Sequence, residues 1–175
     1  MANTPTFSTP DGQTIAREQL IVYLNVGTYA TPDWAAIGTR VEDSSMEYDW
    51  SEESNQDILG VTHSSMKKPT ITQSFDGVKL SSGDKAYEKI WLEGVKNQNP
   101  QALCNLDILV AHFYAGAANA PFGERYPSSM VRPTSLGGEG GGDIVMPFDA
   151  TYGGVRETGT VTKGNDGAIT FAKAA

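Results

Sequence analysis

The chain has 175 residues, 39% of them hydrophobic, and a formal net charge of −8. That length and apolar content suit one domain with its own core and exclude a disordered chain. No apolar run reaches the roughly 20 residues a membrane-spanning helix needs, and a single basic doublet, Lys67-Lys68, gives no basic strip for gripping nucleic acid.

Residues 1–19 hold Pro5, Pro10 and Gly12 among Thr and Ser. They read as an irregular N-terminal arm, either a frayed terminus or an arm that docks on a neighbouring subunit. The polar start lacks the pattern of a secretory signal, and the lone Cys104 forms no intrachain disulfide, so folding in the cytoplasm is expected. The remainder, 20–175, reads as a single β domain. The run 20–26, with Ile21, Val22, Tyr23 and Val26, is strongly strand-prone. A second short strand is expected over 35–41, broken near Gly38.

The net charge gathers in the next stretch. Residues 1–60 carry ten acidic residues against Arg17 and Arg40, whereas 61–175 carry eleven of each sign. Glu42, Asp43, Glu47, Asp49, Glu52, Glu53 and Asp57 follow one another with no base among them. Such a patch repels polyanions or meets a basic partner. Within it, 44–50 alternates: Met46, Tyr48 and Trp50 point one way, Glu47 and Asp49 the other. That predicts a strand with one packed face and one wet acidic face. Alternation weakens over 52–59, the expected partner strand. It returns over 69–75, with Ile71 and Phe75 on one face, before a tight turn at Asp76-Gly77.

One helix stands out. Tyr87, Ile90, Trp91, Gly94 and Val95 share a face at helical spacing, with Lys85, Glu88, Lys89, Glu93 and Lys96 opposite. Asp84 caps its start, and Pro100 lies beyond its end. Residues 103–114 read as a long central strand, with Cys104 as a small buried hydrophobe at its start. Strands at 130–133 and 144–148 flank a loop containing Gly137, Gly138, Gly140, Gly141 and Gly142. Gly153-Gly154 and Asp166-Gly167 are read as hairpin turns separating 144–152, 155–163 and 168–172 into a meander. Eight to ten strands and one helix make a mainly β fold, an antiparallel β-sandwich or curled barrel with one flanking α-helix. Trp50, Tyr87, Ile90 and Trp91 are its expected core markers.

Catalytic, cofactor and metal signatures are missing from the sequence. His63 and His112 are the only histidines, which excludes a multi-histidine metal site. His112 sits in an apolar run as a satisfied core or edge residue, and His63 is expected at the surface. Neither forms a recognised pair with Cys104. The glycine loop lacks the Lys-Ser/Thr of a phosphate-binding loop. Glu52 and Glu53, adjacent on a strand, point to opposite faces, and the spacing of a calcium loop is absent. No enzyme activity and no cofactor are expected.

A family resemblance joins these pieces. Trp-Ala-Ala-Ile-Gly-Thr-Arg-Val-Glu-Asp at 34–43 leads into Ser-Ser-Met-Glu-Tyr-Asp-Trp at 44–50. Ser-Ser-Met-Lys-Lys-Pro-Thr-Ile-Thr-Gln-Ser-Phe at 64–75 then precedes the helix with Tyr87, Ile90 and Trp91. This order resembles the major tail proteins, or tail tube proteins, of long-tailed phages and prophages of Gram-positive bacteria. The similarity is strongest over 20–91 and looser beyond. It implies a β-sandwich or small barrel that forms hexameric rings stacked into a hollow tail. Sheets of neighbouring subunits then join around a lumen through which DNA passes without specific binding. It also implies tape measure, terminator and distal tail proteins as partners, no membrane, and a place in the virion tail after synthesis in the host cytoplasm. A phage-tail-like bacteriocin would use the same subunit. On this reading Glu47 and Asp49 line the lumen, and Glu53 and Asp57 continue that face if the partner strand keeps register. Lys67, Lys68, Glu52 and Gly140 are candidates for contacts between subunits. The alternative is a carbohydrate- or ligand-binding β-sandwich with Trp34, Tyr48 and Trp50 as a stacking platform. The tube reading expects these rings buried, and the ligand reading expects them exposed.

Overall fold

The computed structural model describes residues 7–41 and 43–174. Glu42 of the acidic run and residues 1–6 of the expected arm lie outside the described residues. The strands are β1 (Leu20–Asn25), β2 (Trp34–Ile37), β3 (Met46–Asp49), β4 (Glu53–Gln56), β5 (Thr62–Ser65) and β6 (Thr70–Phe75), then β7 (Leu106–Ala117), β8 (Ala120–Pro133), β9 (Phe148–Tyr152), β10 (Glu157–Lys163) and β11 (Ile169–Lys173). Helix α1 (Lys85–Trp91) runs into a π turn at Leu92–Lys96, and α2 (Pro100–Leu103) follows. In the described part of the arm, the Ser8 amide donates to the Tyr114 carbonyl at 2.7 Å, which ties it to β7.

The strands pair antiparallel, and the long β8 organises them. Its first half pairs with β7 on one side and β10 on the other. Its last residues, Met130 to Pro133, pair with β9 instead. One sheet therefore runs β2-β1-β7-β8-β10-β11, and a second runs β8-β9-β6-β3. The two share β8 and fold over each other as a sandwich, not a closed barrel. The pair β4-β5 forms a sheet of its own.

Strands β1 and β7 are covered on both faces, which is why they read as near-continuous apolar runs. Val22, Leu24, Ile108 and Val110 meet Phe75, Phe148, Tyr87 and Ile90 in the core between the sheets and α1. Tyr23, Leu109 and Ala111 meet Trp34, Val161 and Ile169 on the other side. Gly123 on β8 makes the second core possible, because a Cβ there would lie 2.4 Å from Val161 Cγ2. Asp107 and Arg125 pair inside this side of the fold, with Arg125 Nη2 2.6 Å from Asp107 Oδ2. Asn25 Nδ2 donates to the same oxygen at 2.9 Å, and the guanidinium lies over the Tyr29 ring at 4.0 Å. Each buried charge thus has partners, the condition for tolerating it.

Four expectations need correction. Tyr87 and Ile90 are buried, but Trp91 is 37% exposed. The 100° helical step past Ile90 carries it to the rim, where the helix widens into the π turn. Second, the strand expected from 103 begins at Leu106. Asn99 caps α2 by accepting from the Ala102 amide at 3.2 Å, with Pro100 in its first turn. Cys104 is that helix's C-cap and is exposed rather than a buried hydrophobe. Third, 144–172 is not one meander, because β9 pairs with β6 and β8 whereas β10 joins the other end of β8. Of the two expected hairpin turns, Asp166-Gly167 closes one, between β10 and β11, and Gly153-Gly154 does not. Fourth, the strand at 144–148 is reduced to isolated bridges at Val145 before β9 starts at Phe148.

Candidate assembly surfaces

The register of the second sheet sorts its residues into two faces. Outward lie the rows Asp49–Thr70, Glu47–Thr72–Thr151–Met130 and Ser74–Asp149–Arg132. Inward lie Met46–Gln73–Ala150–Val131 and Tyr48–Ile71–Tyr152. The alternation expected over 44–50 is present in this direction, and Glu47 and Asp49 are exposed on the outer face. Hydroxyls fill the centre of that face. Its basic residue, Arg132, places Nη2 2.8 Å from Asp149 Oδ2, and the Ser74 hydroxyl donates to Asp149 Oδ1 at 2.9 Å. The Arg132 contact, then the Ser74 hydrogen bond, hold the Asp149 carboxyl below its ordinary range, so this pair is neutral. What remains is Glu47 and Asp49 beside a field of Thr and Ser. Among the described residues the outer edge of β3 pairs with no strand.

The inner face of β3 departs from expectation. Tyr48 is 45% exposed, and Trp50, expected in the core, is 46% exposed. Both point inward, but the sandwich is open at this end. A cleft of about 670 Å³ lies there, lined by Tyr48, Trp50, Lys68, Tyr126, Tyr152 and Arg156. Glu124 closes its floor. It is buried, pairs with Arg156, accepts from the Tyr126 hydroxyl at 3.1 Å and faces His112 Nε2 at 3.5 Å. Burial pushes the Glu124 carboxyl up, but His112 and Arg156 together outweigh it and hold it at about 2. His112 Nδ1 lies 2.9 Å from the Tyr114 hydroxyl, and β7 is paired on both sides at this residue, so of the two expected placements the histidine takes the interior one rather than an edge.

The acidic run continues into a projecting arm. Strand β4 pairs with β5, not with β3, and all residues of both strands are exposed. Glu53 and Asp57 therefore do not continue the face of Glu47 and Asp49; the partner-strand premise fails because the core that would align them ends at Trp50. Asp57 instead builds the arm's turn. Its Oδ1 accepts from the Leu59 and Val61 amides at 2.9 and 3.0 Å, and its Oδ2 meets His63 Nε2 at 3.0 Å. The His63 contact, with these amides, holds the Asp57 carboxyl below its ordinary range. Lys67 Nζ lies 3.0 Å from Glu53 Oε1, so this lysine is engaged within its own chain. Lys68 lines the cleft, Glu52 is exposed at the arm's base, and Gly140 is exposed in the glycine loop, which Gly137 and Val145 close. Ile58 is fully exposed and Leu59 is 83% exposed at the arm's tip.

The three-aromatic platform does not assemble, because Trp34 is buried in the second core, away from Tyr48 and Trp50. The aromatic neighbours that these two rings do have, Tyr126 and Tyr152, carry no sequence signal linking them to residue 48. They converge only through pairing across β8, β9 and β6. No group of three or more His, Cys, Asp or Glu able to hold a metal ion occurs among the described residues. No described helix is long and apolar enough to cross a membrane.

The chain matches no family model and no curated protein. Among solved structures it is similar to the tube-terminating cap of the anti-feeding prophage, at 15% identity and a TM-score of 0.48, over 95% of this chain and 96% of that one. It is also similar to a chain of the sheath–tube complex of an extracellular contractile injection system, PVC, in the extended state. There the identity is 10% and the TM-score 0.49, over 86% of this chain and 95% of that one.

Proposed function

We propose that this chain is a non-enzymatic structural subunit that assembles with copies of itself into stacked hexameric rings, the hollow tube of a phage or phage-like tail. DNA passes through the lumen, and other tail proteins (tape measure, terminator, distal tail) complete the assembly. The subunit is made in the host cytoplasm and resides in the tail, with no cofactor.

The observation that carries this reading is the outer face of β3-β6-β9-β8. Affinity for DNA comes largely from Lys and Arg displacing counterions from phosphate. A face of hydroxyls with Glu47 and Asp49, whose arginine is neutralised by Asp149, lacks that attraction while staying wet. The same sheet ends in the open edge of β3, whose backbone groups suit extension by a neighbouring copy. A head-to-tail contact of that kind closes into a ring when the rotation per copy fits. The sequence resemblance over 20–91 points the same way.

Negative-stain microscopy of concentrated protein is expected to show rings or tubes. A particle that stays monomeric at every concentration would overturn the proposal. A second reading draws on the half-exposed Tyr48 and Trp50 beside Arg156, an arrangement suited to a ligand. It loses Trp34 from its platform. A sugar that saturably shifts tryptophan fluorescence of a persistent monomer would select it.

A further inference from the structure

We propose that the apolar tip of the arm of one copy, Ile58 and Leu59, seats in the aromatic cleft beside β3 of the next copy. This rests on the tube reading above and names the contact that links its subunits.

The two surfaces need each other for the same physical reason. Ile58 and Leu59 stand adjacent at the end of a two-stranded arm whose strands, among the described residues, make extensive contact only with each other and are exposed throughout. An isolated hairpin is marginal in water, so a partner is what fixes it. The cleft is the converse, with Tyr48 and Trp50 left almost half-exposed around about 670 Å³ of space. Exposed apolar surfaces of this kind mark interaction sites.

The tip does not occupy its own cleft: Ile58 and Leu59 are exposed and are not among the cleft's lining residues. The arm leaves the fold at residue 51, on the cleft's rim, and β4 alone carries the chain about 14 Å away at the usual rise per residue. The Glu53–Lys67 contact and the β4-β5 ladder hold its two strands together. A second copy therefore supplies the tip.

Charge selects this cleft over the other apolar groove. The arm carries Glu52, Glu53 and Asp57 against Lys67 alone, a net negative charge, and the cleft carries Lys68 and Arg156 against the buried Glu124, a net positive one. The groove beside α1, lined by Leu80, Trp91 and Leu92, presents Glu88 and no base. It would repel an acidic arm.

Disulfide trapping in the full chain tests the contact. In a Cys104→Ser background, Leu59→Cys combined with Val155→Cys, on the exposed cleft wall, is expected to give a ladder of cross-linked copies on oxidation. Either cysteine alone gives dimers at most. Leu59→Cys with Leu92→Cys reports the competing groove. In parallel, Ile58→Ser with Leu59→Ser is expected to leave the monomer's circular dichroism and melting unchanged while raising the assembly concentration at least tenfold. If wild-type tubes form but the 59–155 pair stays uncrosslinked, or the 59–92 pair ladders instead, the seating is wrong and the tube reading survives. If the wild-type chain never assembles, both fall together.

Discussion

The acidic run splits into two regions that share a composition and differ in mechanics. Over β3, carboxylates alternate with side chains that reach toward a core, and the strand is fixed to β6 by its ladder. Over β4-β5, the same residue types sit on both faces of an arm with nothing behind it among the described residues. Clean alternation reports that a core exists on one side of a strand; its decay past Trp50 reports that the core has ended. In the arm, the apolar residues are Ile58, Leu59 and Val61 at the turn and Met66 at the base, and all four side chains are exposed.

The two regions should differ most in what they contribute to stability. Phe148 is 1% exposed and stacks on Phe75 at 4.7 Å behind the anchored sheet. Phe148→Ala is expected to cost about 3–5 kcal/mol in denaturant unfolding. The paired tip variant of Ile58 and Leu59 should move monomer stability by no more than about 0.5 kcal/mol. Equal losses at the two places would show that the arm is part of the cooperative unit.

The next effect lies at the boundary between the regions, on the cleft floor. Glu124 titrates near 2 in the folded protein against an ordinary 4.5. A depressed carboxyl stabilises the fold above its unfolded value and loses that contribution as pH falls through its folded one. Glu124→Gln should therefore cost about 2 kcal/mol at pH 7, after allowance for solvent at the cleft mouth. The deficit should shrink between about pH 4.5 and 2 in parallel unfolding curves. A pH-independent deficit would assign the loss to packing instead of to the Arg156 and His112 contacts.

Much of the anchored region is written locally. The β1 run, the Tyr87–Ile90 spacing, the Asp84 cap and the 69–75 alternation are all short-range patterns, and each appears near its expected place. β8 is illegible because Pro121, Gly123 and Pro127 interrupt its pattern. Gly123 is paired on both sides, whereas Pro121 lies beyond the β10 ladder and Pro127 sits where the β7 register shifts, so neither proline interrupts a two-sided ladder, a placement no local window contains. The cleft is hidden for a related reason. Its residues come from β3 and Trp50, from Lys68 to Ile71 at the start of β6, and from β8, β9 and the 154–156 segment, so only the topology unites them. Gly153-Gly154 misleads because a turn signal fixes the turn and not which strands flank it.

A smaller effect separates the arm's internal ion pair from the core's. A double-mutant cycle on Glu53 and Lys67, both more than half exposed, should give a coupling below about 1 kcal/mol that fades in high salt. A larger, salt-resistant coupling would mean that the arm is shielded by something already in the isolated chain.

An equally small change in stability is expected on the outer face proposed to line the lumen, where the functional change should nevertheless be large. Glu47 and Asp49 are exposed on the outer face, so Glu47→Lys with Asp49→Lys should alter unfolding by no more than about 0.5 kcal/mol. The double substitution reverses the sign of the face while leaving its backbone ladder and its Thr neighbours in place. Assembled tubes of this variant should retain DNA that wild-type tubes release, and the retention should fall steeply with salt because it depends on counterion release. Retention equal to that of wild type would place these carboxylates away from the lumen, whereas retention that ignores salt would point to trapping rather than attraction.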